Sequence, residues 1–195
     1  IIPSIDLMGG SAYNVPTPLT IRQDGYPDIH HTARYDTKPF GPYAPYYSWR
    51  VAFWHGDIAW EIQHVHHRLF LRNTTPEIES FSIHFGYSYL MGGLAWRTHG
   101  VVLHLAGGTI LTSPENRIRG KGVNTNTPDA LGTGYGLSGV GASVAMTKSV
   151  QVSRHLSVVG EVAFMTASVS VPVFGGSAHA PNASLHGRFG LGVGF

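Results

Sequence analysis

The sequence predicts an all-β fold, an eight-stranded antiparallel up-and-down transmembrane β-barrel. Three observations predict it. Apolar residues alternate with small or polar ones in about eight strand-length segments. Hydrophobic content of 43% is combined with 25 glycines and only 12% charged residues, a balance suited to a lipid solvent. The links between segments are short at one end and longer at the other, as in barrels that cross an outer membrane. No segment has a helical period of comparable strength, and no apolar run approaches the ~18 residues of a spanning helix. A membrane-spanning chain without such a helix must close its backbone hydrogen bonds in a barrel.

The segments follow in order. A first strand is expected near His31 to Lys38. In the second, Tyr47, Trp49, Val51 and Phe53 oppose Tyr46, Ser48, Arg50 and Ala52. In the third, Ala59 to Arg72, the apolar phase passes from Trp60 and Ile62 to Val65, Leu69 and Leu71, which predicts a bulge near His64 to His67. The fourth, Ile78 to Met91, sets Phe81, Ile83, Phe85, Tyr87, Tyr89 and Met91 on one face, expected to meet lipid, against serines, His84 and Gly86. In the fifth, Val101, Leu103, Leu105, Thr109 and Leu111 point out while Val102, His104, Ala106 and Gly108 point in. Val140 to Met146 and Val158 to Phe164 supply the sixth and seventh. The eighth ends the chain: Gly187, Phe189, Leu191, Val193 and Phe195 face lipid, and Arg188 with three glycines faces the interior.

Short links are expected at His55 to Asp57, at Gly92 and Gly93, and at Ser149 to Arg154. The long link is Ser113 to Thr133, and Asn73 to Glu77 is a short exception at the long-loop end. Trp54 with Trp60, and Tyr89 with Trp96, bracket two tight turns, so they and Phe195 define one interfacial level. Residues 1–30 carry Pro3, Pro16, Pro18 and Pro27, each lacking a ladder donor, and read as an extension or plug beside a barrel of residues 31–195. Ile1 to Thr17 lacks the basic start and apolar stretch of a secretory signal, so the sequence reads as mature. The absence of cysteine permits an oxidising compartment. A net charge of +2 without a basic stripe gives no footprint for nucleic acid.

The alternation, the loop asymmetry and the terminal Phe195 resemble the small eight-stranded barrels of the bacterial outer membrane. That class includes structural barrels, the lipid A palmitoyltransferase and the lipid A deacylase. The resemblance covers roughly Tyr35 to Phe195 and is one of architecture. A soluble lipocalin-like barrel would also alternate, but its exterior would carry Lys and Glu where these strands carry Gly, Ser, Ala and His.

Candidate chemistry is sparse. His64, His66 and His67, and the pair His30 and His31, raise a metal site, but imidazole sites usually need three or four convergent ligands, and no metal or cofactor is expected. If the fourth and fifth strands reverse at Met91 to Ala95, Ser82 comes opposite His104 and His84 opposite Val102, placing a serine and two histidines in the lumen. Ser184 and His186 share one face at the start of the last strand, in the interior phase of Arg188. The lipid A deacylase resemblance makes this Ser and His spacing suggestive, although the order is reversed here. Glu161 is expected near the Phe195 end, leaving Glu115 or Asp129 as the acid. Pro39 to Tyr47 form an aromatic external loop.

The expected function is non-enzymatic, in envelope structure or in binding through the external loops. Its expected partners are outer-membrane lipid and lipopolysaccharide, with a protein partner possible at those loops and no nucleic acid. The alternatives are a lipid A acyl-ester hydrolase using Ser184 and His186, and a narrow, porin-like conduit for a small apolar solute.

Overall fold

The computed structural model describes residues 2–40, 45–124 and 135–195, with side chains except those of His84, Phe85 and Asn124. Fourteen strands form among them. They are β1 (Ile2–Asn14), β2 (Thr17–Gln23), β3 (Ile29–Ala33), β4 (Tyr35–Asp36), β5 (Tyr47–His55), β6 (Ile58–Leu71) and β7 (Ile78–Thr98), followed by β8 (Val101–Thr112), β9 (Glu115–Ile118), β10 (Lys121–Asn124), β11 (Gly136–Gln151), β12 (Leu156–Val173), β13 (Gly176–His179) and β14 (Asn182–Gly194).

Eight of them close a ring in which every neighbour is antiparallel: β1, β5, β6, β7, β8, β11, β12, β14 and back to β1. Closure gives every strand of the ring two neighbours, which is what hydrocarbon demands of a sheet. The outward residues form the expected belt, with Leu7, Trp60, Leu105, Val144, Phe164 and Phe189 all exposed.

The ring starts earlier than expected. Residues 1–30 are not an extension or plug: Ile2–Asn14 is the first barrel strand, paired with β14 on one side and β5 on the other. Pro3 is tolerated because it stands at the beginning of the strand. Gly9 and Gly10 interrupt the apolar alternation, and the structure explains the second of them. A Cβ at Gly10 would lie 2.1 Å from the Gly187 carbonyl oxygen and 2.9 Å from the Arg188 Cα. The segment near His31 to Lys38 instead lies outside the ring, in β3 and β4.

Tight turns join β5 to β6, β7 to β8 and β11 to β12. The second lies at His99 and Gly100, not at Gly92 and Gly93. Both residues have positive φ, 48° and 74°, as a two-residue hairpin turn with a primed geometry requires. The reversal therefore does not bring Ser82 opposite His104. His104 pairs with Ala95, and Ser82 pairs with Phe70 and Glu115.

At the other end, β7 runs for 21 residues and β12 for 18, well beyond the ~10 that span a bilayer. Their projecting parts are joined by β2, β3, β9, β10 and β13 into a cap. There the hydrophobic face inverts. Phe81 and Ile83 point inward there and are buried, and Tyr87, Tyr89 and Met91, in the part of β7 that pairs with β8 in the ring, point inward as well, correcting the expectation that this face meets lipid. Val169, Val171 and Val173 do the same on β12, where Ser168 and Ser170 point out. Outside the bilayer the solvent is water, so the apolar face must turn to the interior. The same change explains β6, where Val65 and Leu69 share the inward phase of Gln63. The expected bulge is not in this strand: the register does shift between His67 and Leu69, but His67 pairs with Tyr87 and Leu69 with Ile83, so the extra residues lie on β7.

The aromatic level is part of this picture. Trp60, Trp96 and Phe195 lie at the tight-turn end, facing out. Trp54 points inward and donates to Ser4 Oγ at 3.0 Å, and Tyr89 is buried far from a turn. Residues 41–44 of the aromatic loop, Asp129 and much of the Ser113 to Thr133 link lie outside the described residues.

Candidate functional site

Two buried polar assemblies occupy the barrel interior. The lower one is ionic. Arg50 of β5 donates to Glu161 Oε2 of β12 at 2.5 Å, and Arg188 of β14 forms an ion pair with the other oxygen, Glu161 Oε1. Thr147 of β11 donates to Glu161 Oε2 at 2.8 Å. Glu61 of β6 lies 2.7 Å from His104 Nδ1 of β8 and 3.5 Å from Arg50 Nε. Asp6 of β1 lies 3.7 Å from Arg50 Nη1. Every barrel strand except β7 thus contributes a side chain to one network that crosses the lumen. Low dielectric makes such pairs strong and makes an unpaired member costly.

Glu161 stands directly opposite Arg188 in the β12 and β14 ladder, which corrects its expected place beside Phe195. Below the network a vestibule of about 180 Å³ opens toward the tight turns, lined by Ser4, Asp6, Arg50, Trp54 and His104.

The upper assembly contains the candidate pair. Ser184 and His186 share the inward face, as their spacing implies, and Ser184 Oγ lies 2.8 Å from His186 Nε2. Their partners fix the proton positions. Asn14 places its amide nitrogen 3.2 Å from the Tyr35 carbonyl oxygen, which only accepts, so Asn14 Oδ1 faces the other way. That oxygen accepts from Asn182 Nδ2 at 3.0 Å and from His67 Nε2 at 2.9 Å. Asn182 Oδ1 then accepts the Ser184 hydroxyl proton at 3.0 Å. His186 Nε2 must therefore donate to Ser184 Oγ, and its Nδ1 accepts from the Tyr46 hydroxyl at 2.6 Å. At the far end, Asn14 Nδ2 donates to Thr37 Oγ1 and Thr37 donates to the Ala12 carbonyl, at 3.0 and 2.9 Å. Burial pushes the Tyr35 hydroxyl above its usual range, so it stays neutral.

This polarity is opposite to the one a serine nucleophile needs, in which the imidazole accepts the hydroxyl proton. Ser184 and His186 are also fully buried, while the lipid-facing neighbours on β14 are Leu185 and Gly187. Among the described residues no carboxylate is hydrogen-bonded to His186, and Glu161 is committed to Arg50 and Arg188.

The histidines divide among separate places. His66 stacks on Tyr47 at 5.1 Å between ring centroids, His64 stacks on Trp49 at 5.7 Å, His67 meets His186 edge to face at 4.9 Å, and His31 bonds the Asn73 carbonyl. Among the described residues no three potential metal ligands come together. Sequence reasoning placed Arg50 in the inward phase and Arg188 in the lumen without joining them. Charges on the inward face of otherwise apolar strands must find partners, and that signal points to Arg50, Glu61 and Glu161 together.

No protein family and no curated protein matches the sequence. Among solved structures, the chain is similar to the outer membrane protein AlkL, determined in lipid bilayers, with a TM-score of 0.54 and 10% identity over 100% of this chain and 90% of that one. It also matches OprG from Pseudomonas aeruginosa (TM-score 0.48, 12% identity, 99% and 95% coverage) and the protease OmpT from Escherichia coli (0.45, 11%, 100% and 97%). At this identity the AlkL likeness concerns the fold alone. With the closed ring, the apolar belt and the polar interior, it defines the class: this is an integral β-barrel of the bacterial outer membrane.

Proposed function

We propose that the protein is a closed, non-enzymatic barrel whose work is structural or binding and is done by its external cap. The observation that carries this reading is the cap itself. Five short strands extend the wall beyond the bilayer around an apolar core that includes Leu19, Ile21, Ile29, Ile118 and Ala178. Flexible loops would suffice for an inert membrane anchor, whereas a packed core holds an outer surface in one shape. The ionic network across the lumen argues against a conduit for an apolar solute. The proton arrangement around Ser184 argues against ester cleavage.

The test compares cells producing the wild type, a Ser184→Ala variant and a variant with 17–33 replaced by a short Gly-Ser linker. Outer-membrane integrity is read by uptake of a hydrophobic dye and lipid A acylation by mass spectrometry. The reading predicts that only the cap deletion impairs the envelope, with lipid A unchanged throughout and no unitary conductance in planar bilayers. Altered lipid A that depends on Ser184, or stepwise conductance, would overturn it.

A further inference from the structure

The wall of the barrel is incomplete as a ladder at one place. β1 pairs with β14 up to Asn14, but its pairing with β5 stops at Gly9 opposite Tyr47. Among the described residues, the β5 side of β1 has no ladder partner from Gly10 to Asn14. The gap is filled instead by Tyr35 to Thr37, held to β1 by the Asn14 and Thr37 hydrogen bonds and to β6 by the pairing of Tyr35 with Leu71. An external cleft of about 450 Å³ lies along this seam, lined by residues that include Tyr13, Asn14, Arg34, Asp36 and Arg72.

The cleft has a charge and a position. Arg34 and Arg72 are exposed, and their backbones are locked side by side: Arg72 N donates to the Arg34 carbonyl at 2.9 Å, while Asn73 Oδ1 accepts from Arg34 N at 2.8 Å. Among the described residues Asp36 is the one carboxylate lining the cleft, and it is 3.9 Å from Arg72 Nη1. Among the described residues the Arg34 guanidinium has no ion pair. The cleft therefore carries an excess positive charge on a rigid frame. Beside it Tyr13 points outward, 68% exposed, next to its ladder partner Leu185 of the apolar belt. An outward tyrosine beside the apolar belt suits the interfacial level of a bilayer.

We propose that this cleft binds a phosphate of an outer-leaflet glycolipid headgroup between Arg34 and Arg72, with the glycolipid's apolar part against Tyr13. The inference rests on the reading of the external face as a binding surface and names its ligand. Guanidinium forks match phosphate oxygens in geometry and charge. A free anion would meet the same two cations, but only a lipid would also use the outward Tyr13.

The test is native mass spectrometry of the full chain released from detergent with bis-phosphorylated lipid A or with its dephosphorylated counterpart. The wild type is expected to retain the phosphorylated form about tenfold better, the loss expected from one or two charge-assisted hydrogen bonds. The Arg34→Ala/Arg72→Ala variant should lose that advantage, while Arg117→Ala, whose side chain pairs with Glu79 elsewhere on the cap, keeps it. Equal retention of both lipids by the wild type would overturn the proposal without recourse to any variant. So would undiminished retention by the folded double variant, or displacement of lipid A by inorganic phosphate at equal concentration, which would assign the cleft to free phosphate. A negative result with a non-conducting barrel leaves the functional reading standing, because that reading fails on conductance or lipid A chemistry and not on this retention.

Discussion

Glu161 and Arg188 face each other across the β12 and β14 ladder and meet inside the barrel as a buried ion pair, which Arg50 completes from β5, with β1 standing between β14 and β5. One carboxylate thus serves two guanidiniums. Removing it by Glu161→Ala leaves the buried Arg188 guanidinium without its carboxylate, and Arg50 with only its longer contacts to Glu61 and Asp6, and should destabilise the barrel by about 3–5 kcal/mol. Urea unfolding in lipid vesicles measures this. Thr147→Val, which deletes one neutral donor to the same oxygen, should cost less, about 1.5–3 kcal/mol. Equal effects of the two changes would refute a network centred on Glu161.

The one-way hydrogen-bond chain predicts a stability effect without a chemical one. Ser184→Ala strands the His186 Nε2 proton and the Asn182 oxygen, costing about 1–3 kcal/mol. Tyr46→Phe removes the donor to His186 Nδ1 and should cost a similar amount. Neither should change lipid A acylation. If the Ser184 change altered acylation at unchanged unfolding midpoint, the assigned proton positions would be wrong.

Gly9 and Gly10 are adjacent and indistinguishable in a composition count, yet they should respond oppositely. A Cβ on Gly9 meets nothing within 4 Å, whereas one on Gly10 collides with the backbone of β14. Gly10→Ala should lower stability by ~1–3 kcal/mol or more, as an overpacked contact between two backbones does, and Gly9→Ala should be close to neutral. Parallel refolding yields into vesicles would separate them.

The barrel was legible in sequence wherever lipid was the outer solvent. The outward phases of β5, β8, β11, β12 and β14 follow their apolar residues, and Ser184 and His186 fall on the inward face as their spacing implies. Reading failed where that premise changed. Above the bilayer, β7 keeps its alternation but exchanges the meaning of its faces, so Phe81 and Ile83 look lipid-facing in sequence and are core in the structure. β1 escaped notice because Gly10 is required by a close approach that only the partner strand reveals. The interior network was hidden for a related reason: Arg50 and Glu61 lie on the two strands of one hairpin, but Glu161 is far from both in the chain and reaches them only through closure of the ring.

Tryptophan quenching by acyl-brominated lipids tests the central claim most directly. In single-tryptophan variants reconstituted in such bilayers, Trp60 and Trp96, which face out, should be strongly quenched, and Trp54, turned into the vestibule and bonded to Ser4, should be spared. Quenching of Trp54 equal to that of Trp60, or a Trp60 reached by aqueous acrylamide and untouched by bromine, would contradict the account.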